Sequence, residues 1–152
     1  MQRRTLVAAA AAFGLTSTAL SAFAAEKGTQ YVVLDKPLPN AEGTLIKVFS
    51  YDCPFCYKYD VGVDPRVLPR IEKEVGLKFK PIHLETKGTY GRCASVFLAM
   101  CMLRDEKAGV SIEDKNSLFK KAKDAIYNAY HRKQERWTAG ESAFLKTMTD
   151  AT

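Results

Sequence analysis

An apolar run, Leu45-Ile46-Lys47-Val48-Phe49, leads through Ser50-Tyr51-Asp52 into Cys53-Pro54-Phe55-Cys56. No other stretch restricts the fold as much. The run reads as a β-strand covered on both faces, because only Lys47 interrupts it. A helix then opens at Cys53, with Pro54 at the first helical position, where a missing N–H costs nothing. A strand that delivers two thiols to the first turn of a helix demands α/β packing. Two cysteines at this spacing can open and close as a disulfide.

The flanking sequence builds outward from this unit. Tyr31 to Leu34 is a short β-type run, stopped by Lys36-Pro37-Leu38-Pro39. Gly62 and Asp64-Pro65 divide the helix after Cys56. Asp64 reads as the cap of a second piece that Gly76 ends. Leu77 to Leu84 is the next strand, and Pro81 suggests an irregular or edge position. From Thr86 the period becomes helical: Val96, Phe97, Met100, Leu103 and Arg104 follow Gly91 in one helix. Ser111-Ile112-Glu113-Asp114 reads as a capping box before a long helix with Leu118, Phe119, Ala122, Ala125, Ile126 and Ala129 on its inner face. Thr138-Ala139-Gly140-Glu141 reads as a second box before a last helix. The order is α/β, with a block of helices beside a small sheet.

Residues 1–24 read as an export signal. Arg3 and Arg4 form the charged start, Leu6 to Leu15 the short apolar core, and Ala22-Phe23-Ala24 the small-x-small cleavage site. The pair Arg3-Arg4 also permits twin-arginine export. Either route leads to a compartment where disulfides persist. The chain carries a net charge of +6, of which the leader supplies Arg3 and Arg4, so the remainder carries +4. That balance is too mild to point to nucleic acid.

Helix geometry divides the labour of the two thiols. Cys53 lies beside unpaired backbone N–H groups and the positive end of the helix dipole, which stabilise a thiolate. It is the expected attacking and attacked sulfur, and Cys56, one turn deeper, the leaving and resolving one. The bland alternatives are a structural staple or half of a metal site. A zinc site needs four ligands, and Cys93, Cys101, His83 and His131 are not paired at knuckle spacing. Cys93 and Cys101 are candidates for a second disulfide only if Cys93 precedes the helix. Within one helix they lie about 12 Å apart along the axis, beyond the roughly 7 Å between Cα atoms that a bridge tolerates. His83 reads as a packed or capping residue. The run His131-Arg132-Lys133-Gln134-Glu135-Arg136 reads as a solvated helix end. Asp52 is expected to face solvent. Tyr51, Phe55, Tyr57 and Tyr59 read as an apolar rim, or in the case of Tyr57 as core.

The residues Tyr31-x-x-Leu34-x-Lys36-Pro37 and Val48-Phe49-Ser50-Tyr51-x-Cys53-Pro54-Phe55-Cys56-Tyr57 resemble the DsbA family of periplasmic thiol oxidases. Phe55 after Pro54 is more similar to the DsbL branch of that family than to the commoner Pro-His. The resemblance implies a thioredoxin-like sheet with an inserted helical domain. The division would be residues 1–24 as leader, 25–85 as the N-terminal part of the thioredoxin-like unit and 86–152 as the helical insertion. It further implies an exported, periplasmic monomer whose Cys53–Cys56 disulfide passes to reduced or unfolded secreted proteins, a sulfotransferase among them. A membrane protein of the DsbB/DsbI kind would reoxidise it. No metal, flavin or nucleotide is implied, the redox-active disulfide being the only redox group, and no nucleic-acid partner. A disulfide isomerase or reductase of the same fold remains an alternative, as does a truncated, non-catalytic product.

Two departures from the family pattern stand out. The family places a cis-proline in a later strand against the dithiol, yet no proline follows Pro81, and the final strands and helix are expected to be missing. Lys47 stands where the family usually has a buried acid. Its charge would favour a thiolate at Cys53 or Cys56, while burial opposes the charged amine. The alternative is that Lys47 reaches solvent or pairs with Glu85.

Overall fold

A computed structural model describes residues 25–152, so the proposed leader lies outside the described residues. The described residues divide at Pro37, with residues 25–37 as one unit and Leu38–Thr152 as another. In the first, Gly28, at φ +89°, turns the backbone so that Lys27 and Tyr31 form an isolated bridge. Val32 to Leu34 are not in a strand, contrary to expectation. A β-type composition makes a strand only where a neighbour supplies the ladder, and Pro37 and Pro39 remove donors just beyond.

The second unit opens with a βαβ crossover. Strand β1 (Thr44–Phe49) leads to helix α1 (Pro54–Gly62), helix α2 (Asp64–Arg70), a π-helical turn (Ile71–Val75) and strand β2 (Lys78–His83). The strands pair in parallel, with Lys47 opposite Pro81 and Phe49 opposite His83. Helix α2 contains Pro69, and the widened π turn follows directly, as expected where a ring removes a helical hydrogen bond. Gly76, at φ +76°, ends the segment in the left-handed conformation that glycine accepts most cheaply. The sheet differs from expectation in one respect. Val48 and Ile82 are exposed while Phe49 and His83 are buried, so the described residues cover the end of the sheet on one face.

Helix α3 (Gly91–Ala108) crosses behind the covered face. Its core stripe is Ala94, Leu98, Cys101 and Asp105, at spacings of three and four residues. Val96, Met100 and Leu103 lie on the opposite side and are exposed. Gly91 is required by close packing, since a Cβ there would fall 2.5 Å from the Glu85 carbonyl oxygen.

Helix α4 (Leu118–Tyr127), a π-helical turn (Asn128–Arg132) and helix α5 (Glu141–Thr149) complete the unit. Phe119, Ala122, Ile126 and Ala129 are buried together with Trp137, Phe144 and Met148. Both expected capping boxes are displaced. Residues 111–116 form turns, in which the Ser111 hydroxyl accepts the Glu113 N–H and Asp114 the Asn116 N–H. The cap of α4 is Ser117, whose hydroxyl accepts the Lys120 N–H at 3.0 Å. The N-cap of α5 is Gly140, at φ +101°, which has no side chain to bond the helix start. Likewise the cap of α2 is Val63, and the Asp64 carboxylate is turned inward instead. Among the described residues no helix is long and apolar enough to cross a membrane.

Candidate functional site

The turn between β1 and α1 carries the dithiol. Cys53 is the N-cap of α1 in an extended conformation, φ −81° and ψ 114°, and its Sγ accepts the backbone N–H of Cys56 at 3.2 Å. Pro54 takes the first helical position, so the nearest free donor is aimed at Cys53. The Cys53 N–H bonds to the Ser50 carbonyl, and the Tyr57 N–H to the Cys53 carbonyl. Both thiols are free and half-buried. Burial, followed by the hydrogen bond to Cys53, raises the Cys56 thiol above its ordinary value, while a backbone hydrogen bond from Ser50 and the charge of Lys47 pull the other way. Cys56 is therefore held toward its protonated form. A groove of about 330 Å³ opens beside the pair, between Val48, Leu84 and Lys87. Phe55, between Pro54 and Cys56, is 70 % exposed, with the Lys58 amine 5.9 Å over its ring. Tyr59 is exposed too, so two of the four expected rim aromatics face solvent. Tyr51 does not, and Tyr57 packs against the core.

Lys47 is neither solvent-bound nor paired with Glu85. Its amine bonds to the Asp64 carboxylate, and beside it the nearly buried Lys123 of α4 bonds to Asp60 of α1. These four groups converge around Phe79, Pro81, Phe119 and Tyr127. Two cations against two anions leave little net charge there. Sequence reasoning missed this arrangement because Asp64 looked like a cap, and its inward turn depends on how α2 leaves α1.

Tyr51 is the knot that holds the turn carrying the dithiol. Its buried hydroxyl accepts the Tyr90 N–H at 3.1 Å, and its ring stacks on His83 with 5.8 Å between centroids. The ring crosses Gly88, where a Cβ would come within 2.6 Å and where φ is +76°. The Tyr51 N–H donates to His83 Nε2 at 3.1 Å, so the proton of the neutral imidazole sits on Nδ1 and donates to Ser95 Oγ at 2.8 Å. Ser95 in turn donates to the His83 carbonyl. Asp52 is half-buried rather than solvent-facing and accepts the Ser50 hydroxyl.

Burial holds the His83 imidazole down at about 4 in the folded chain, against an ordinary 6.5. Between these values the unfolded chain binds the extra proton, so stability rises with pH. The His83 contribution is complete above about pH 6.5 and lost as pH falls through about 4. The loss is on the order of 3 kcal/mol. Urea unfolding of the chain and of His83→Gln at a series of pH values measures it. The variant should lose this part of the acid slope; parallel slopes would remove His83 from the account.

Cys93 and Cys101 both lie inside α3, about 12 Å apart along its axis, and both thiols are free. Burial pushes Cys101 up to about 11 and raises Cys93 as well. Among the described residues, no group of three or more His, Cys, Asp or Glu side chains is placed to hold a metal ion. His131 does not belong to a solvated helix end. Its ring stacks on Tyr57 and its Nε2 reaches the Tyr51 carbonyl. The signal that would have found it is the stripe Tyr127, Tyr130 and His131, continued by Trp137, which reads as a packed face rather than a basic one.

No family model matches the chain. It is 51 % identical over 148 residues to the thiol:disulfide interchange protein DsbL of Escherichia coli O6:H1, covering 96 % of this chain and 64 % of that protein. The DsbL of Lelliottia amnigena is 55 % identical over 143 residues, covering 93 % and 62 % respectively. The crystal structure of Salmonella enterica serovar Typhimurium DsbL superposes with a TM-score of 0.76 at 54 % identity, over 84 % of this chain and 64 % of that one. The chain thus spans somewhat less than two thirds of the length of these relatives. The helix–strand arrangement matches their thioredoxin-like fold with its helical insertion.

Proposed function

We propose that this chain, which is similar to the DsbL thiol:disulfide interchange proteins, is itself a thiol:disulfide oxidoreductase of the DsbA family acting through Cys53 and Cys56. The observation that carries the reading is the cap: Cys53 Sγ receives the Cys56 N–H at the positive end of α1, while Cys56 is driven toward its protonated form. A sulfur so placed is the better thiolate and leaving group.

The favoured direction is oxidation of the substrate. A substrate thiolate attacks Cys53 of the Cys53–Cys56 disulfide, and the S–S bond breaks with its electron pair going to Cys56. The second substrate thiolate then attacks the substrate sulfur of the mixed disulfide and expels Cys53 as thiolate. The substrate dithiol becomes a disulfide, and the enzyme gains two electrons and two protons. A membrane partner of the DsbB/DsbI kind would return it to the disulfide form by accepting those electrons. The redox-active disulfide serves as the only redox group. Substrates are reduced secreted proteins in the periplasm, with a sulfotransferase as a specific candidate. Residues 86–152 act as the helical insertion beside the thioredoxin-like part.

Equilibration with reduced and oxidised glutathione tests the direction. The expected midpoint is more oxidising than that of thioredoxin, which is about −270 mV. A midpoint at or below that value would overturn the oxidase reading.

A further inference from the structure

One imidazole touches both flanks of the C-x-x-C. His131 Nε2 lies 2.8 Å from the Tyr51 carbonyl oxygen. A carbonyl can only accept, so Nε2 carries the proton and donates. The same ring lies parallel to Tyr57, 4.7 Å between centroids and 7° between planes. Tyr51 stands two residues before Cys53, and Tyr57 directly follows Cys56. The π turn Asn128–Arg132 makes this reach feasible. The Lys133 N–H there bonds to the Asn128 carbonyl at 3.1 Å, five residues back rather than four. Such a widened turn shifts the following side chains out of α-helical register, and π turns recur at functional sites.

We propose that His131 is a positioning residue of the dithiol, which fixes the Cys53 cap geometry by holding the Tyr51 carbonyl and the Tyr57 ring from the helical region. This deepens the oxidoreductase reading and rests on it. His83 already holds the Tyr51 N–H, so the two histidines together fix both backbone polar groups of one buried residue. The consequence lies in Cys53. The Cys53 N–H bonds to the Ser50 carbonyl, so a Tyr51 carbonyl released from His131 frees the turn that aims Sγ at the Cys56 N–H. The groups that face the imidazole are Tyr57, Tyr127 and Tyr130 by ring contact, and Asp52 and Arg136 by charge. Burial holds His131 below its ordinary value, so the neutral ring, which donates through Nε2, is the working form near neutral pH.

The test compares His131→Phe, which keeps a flat ring on Tyr57 but has no donor, with His131→Gln, which restores a donor. Iodoacetamide labelling of Cys53 is read by peptide mass spectrometry across a pH series. His131→Phe should label Cys53 about fivefold more slowly at mildly acidic pH, the equivalent of one hydrogen bond, with its pH profile moved upward. His131→Gln should recover most of the rate. A wild-type profile in His131→Phe overturns the proposal while leaving the oxidoreductase reading in place. An ordinary thiol rate at Cys53 in the unsubstituted chain overturns both. A measurement independent of substitution is the NMR titration of the His131 ring in the dithiol and disulfide forms. Reciprocal coupling requires different midpoints in the two forms, and identical midpoints overturn the proposal.

Discussion

Cys53→Ser should abolish the proposed thiol–disulfide exchange and leave the fold intact. The loss is complete because a serine hydroxyl neither forms a disulfide nor leaves as a stable anion near neutral pH. The fold survives because the structural task of Cys53 is to accept the Cys56 N–H as the cap of α1. Serine is among the best residues for that position. The two consequences separate chemistry from architecture. Oxidation of a peptide dithiol, followed by thiol titration, should fall to the uncatalysed rate, while the thermal midpoint stays equal or rises. Cys56→Ala should behave differently. Its Cys53 still exchanges into a glutathione or peptide disulfide, but nothing within the chain resolves the adduct, so a mixed disulfide accumulates and is visible by mass. Residual turnover in Cys53→Ser would move the chemistry to another thiol. The thiols that remain, Cys56, Cys93 and Cys101, are all held toward the protonated state by burial, which makes that outcome the sharpest contradiction.

The parts of this site that are local in sequence were legible. Strand, turn, proline and dithiol follow one another within about a dozen residues, and each obeys a rule that needs no distant partner: apolar patterning, proline at the helix start, a thiol as cap. What was not legible depends on elements meeting in space. Asp64 has every local mark of a cap, but Lys47 lies across from it once α2 folds back on β1, and a half-buried cation takes the nearest anion. His131 sits in a basic run that suggests solvent, yet the π turn places its ring on Tyr57. Val96, Met100 and Leu103 are apolar residues at helical spacing, but the core takes the Ala94, Leu98 and Cys101 stripe, which faces inward once Gly91 packs the start of α3 against the Glu85 carbonyl beyond β2. Burial on one side of the sheet is likewise a property of neighbours. The sequence of β1 alone reads as covered on both.

The failed capping boxes lead to the largest expected loss of stability, at Asp105. A carboxylate near the C-terminal end of a helix faces the negative end of the dipole and should be unfavourable there. Asp105 occupies such a place in α3 and is 2 % exposed. Its compensation comes from another helix. One oxygen accepts the Leu118 N–H at 2.9 Å, and the other accepts the Ser117 hydroxyl at 2.8 Å and the Phe119 N–H at 2.9 Å. These are the orphan donors at the start of α4, so Ser117 and Asp105 cap the helix jointly, one locally and one across the fold. Asp105→Ala leaves two buried N–H groups and a hydroxyl without partners, at a cost of about 4 kcal/mol. That is a large fraction of what holds a domain of this size together. Asp105→Asn should cost less, since an amide oxygen still accepts while the amide nitrogen faces donors. Urea unfolding of both variants, with Ser117→Ala and the double replacement, measures the coupling of the two caps. A loss below about 1 kcal/mol in Asp105→Ala would mean that water reaches the start of α4. The dithiol itself would register the change. Helix α4 carries Lys123 to Asp60 and continues into the turn that holds His131. A frayed α4 should therefore expose its amides to hydrogen exchange and slow Cys53 labelling together.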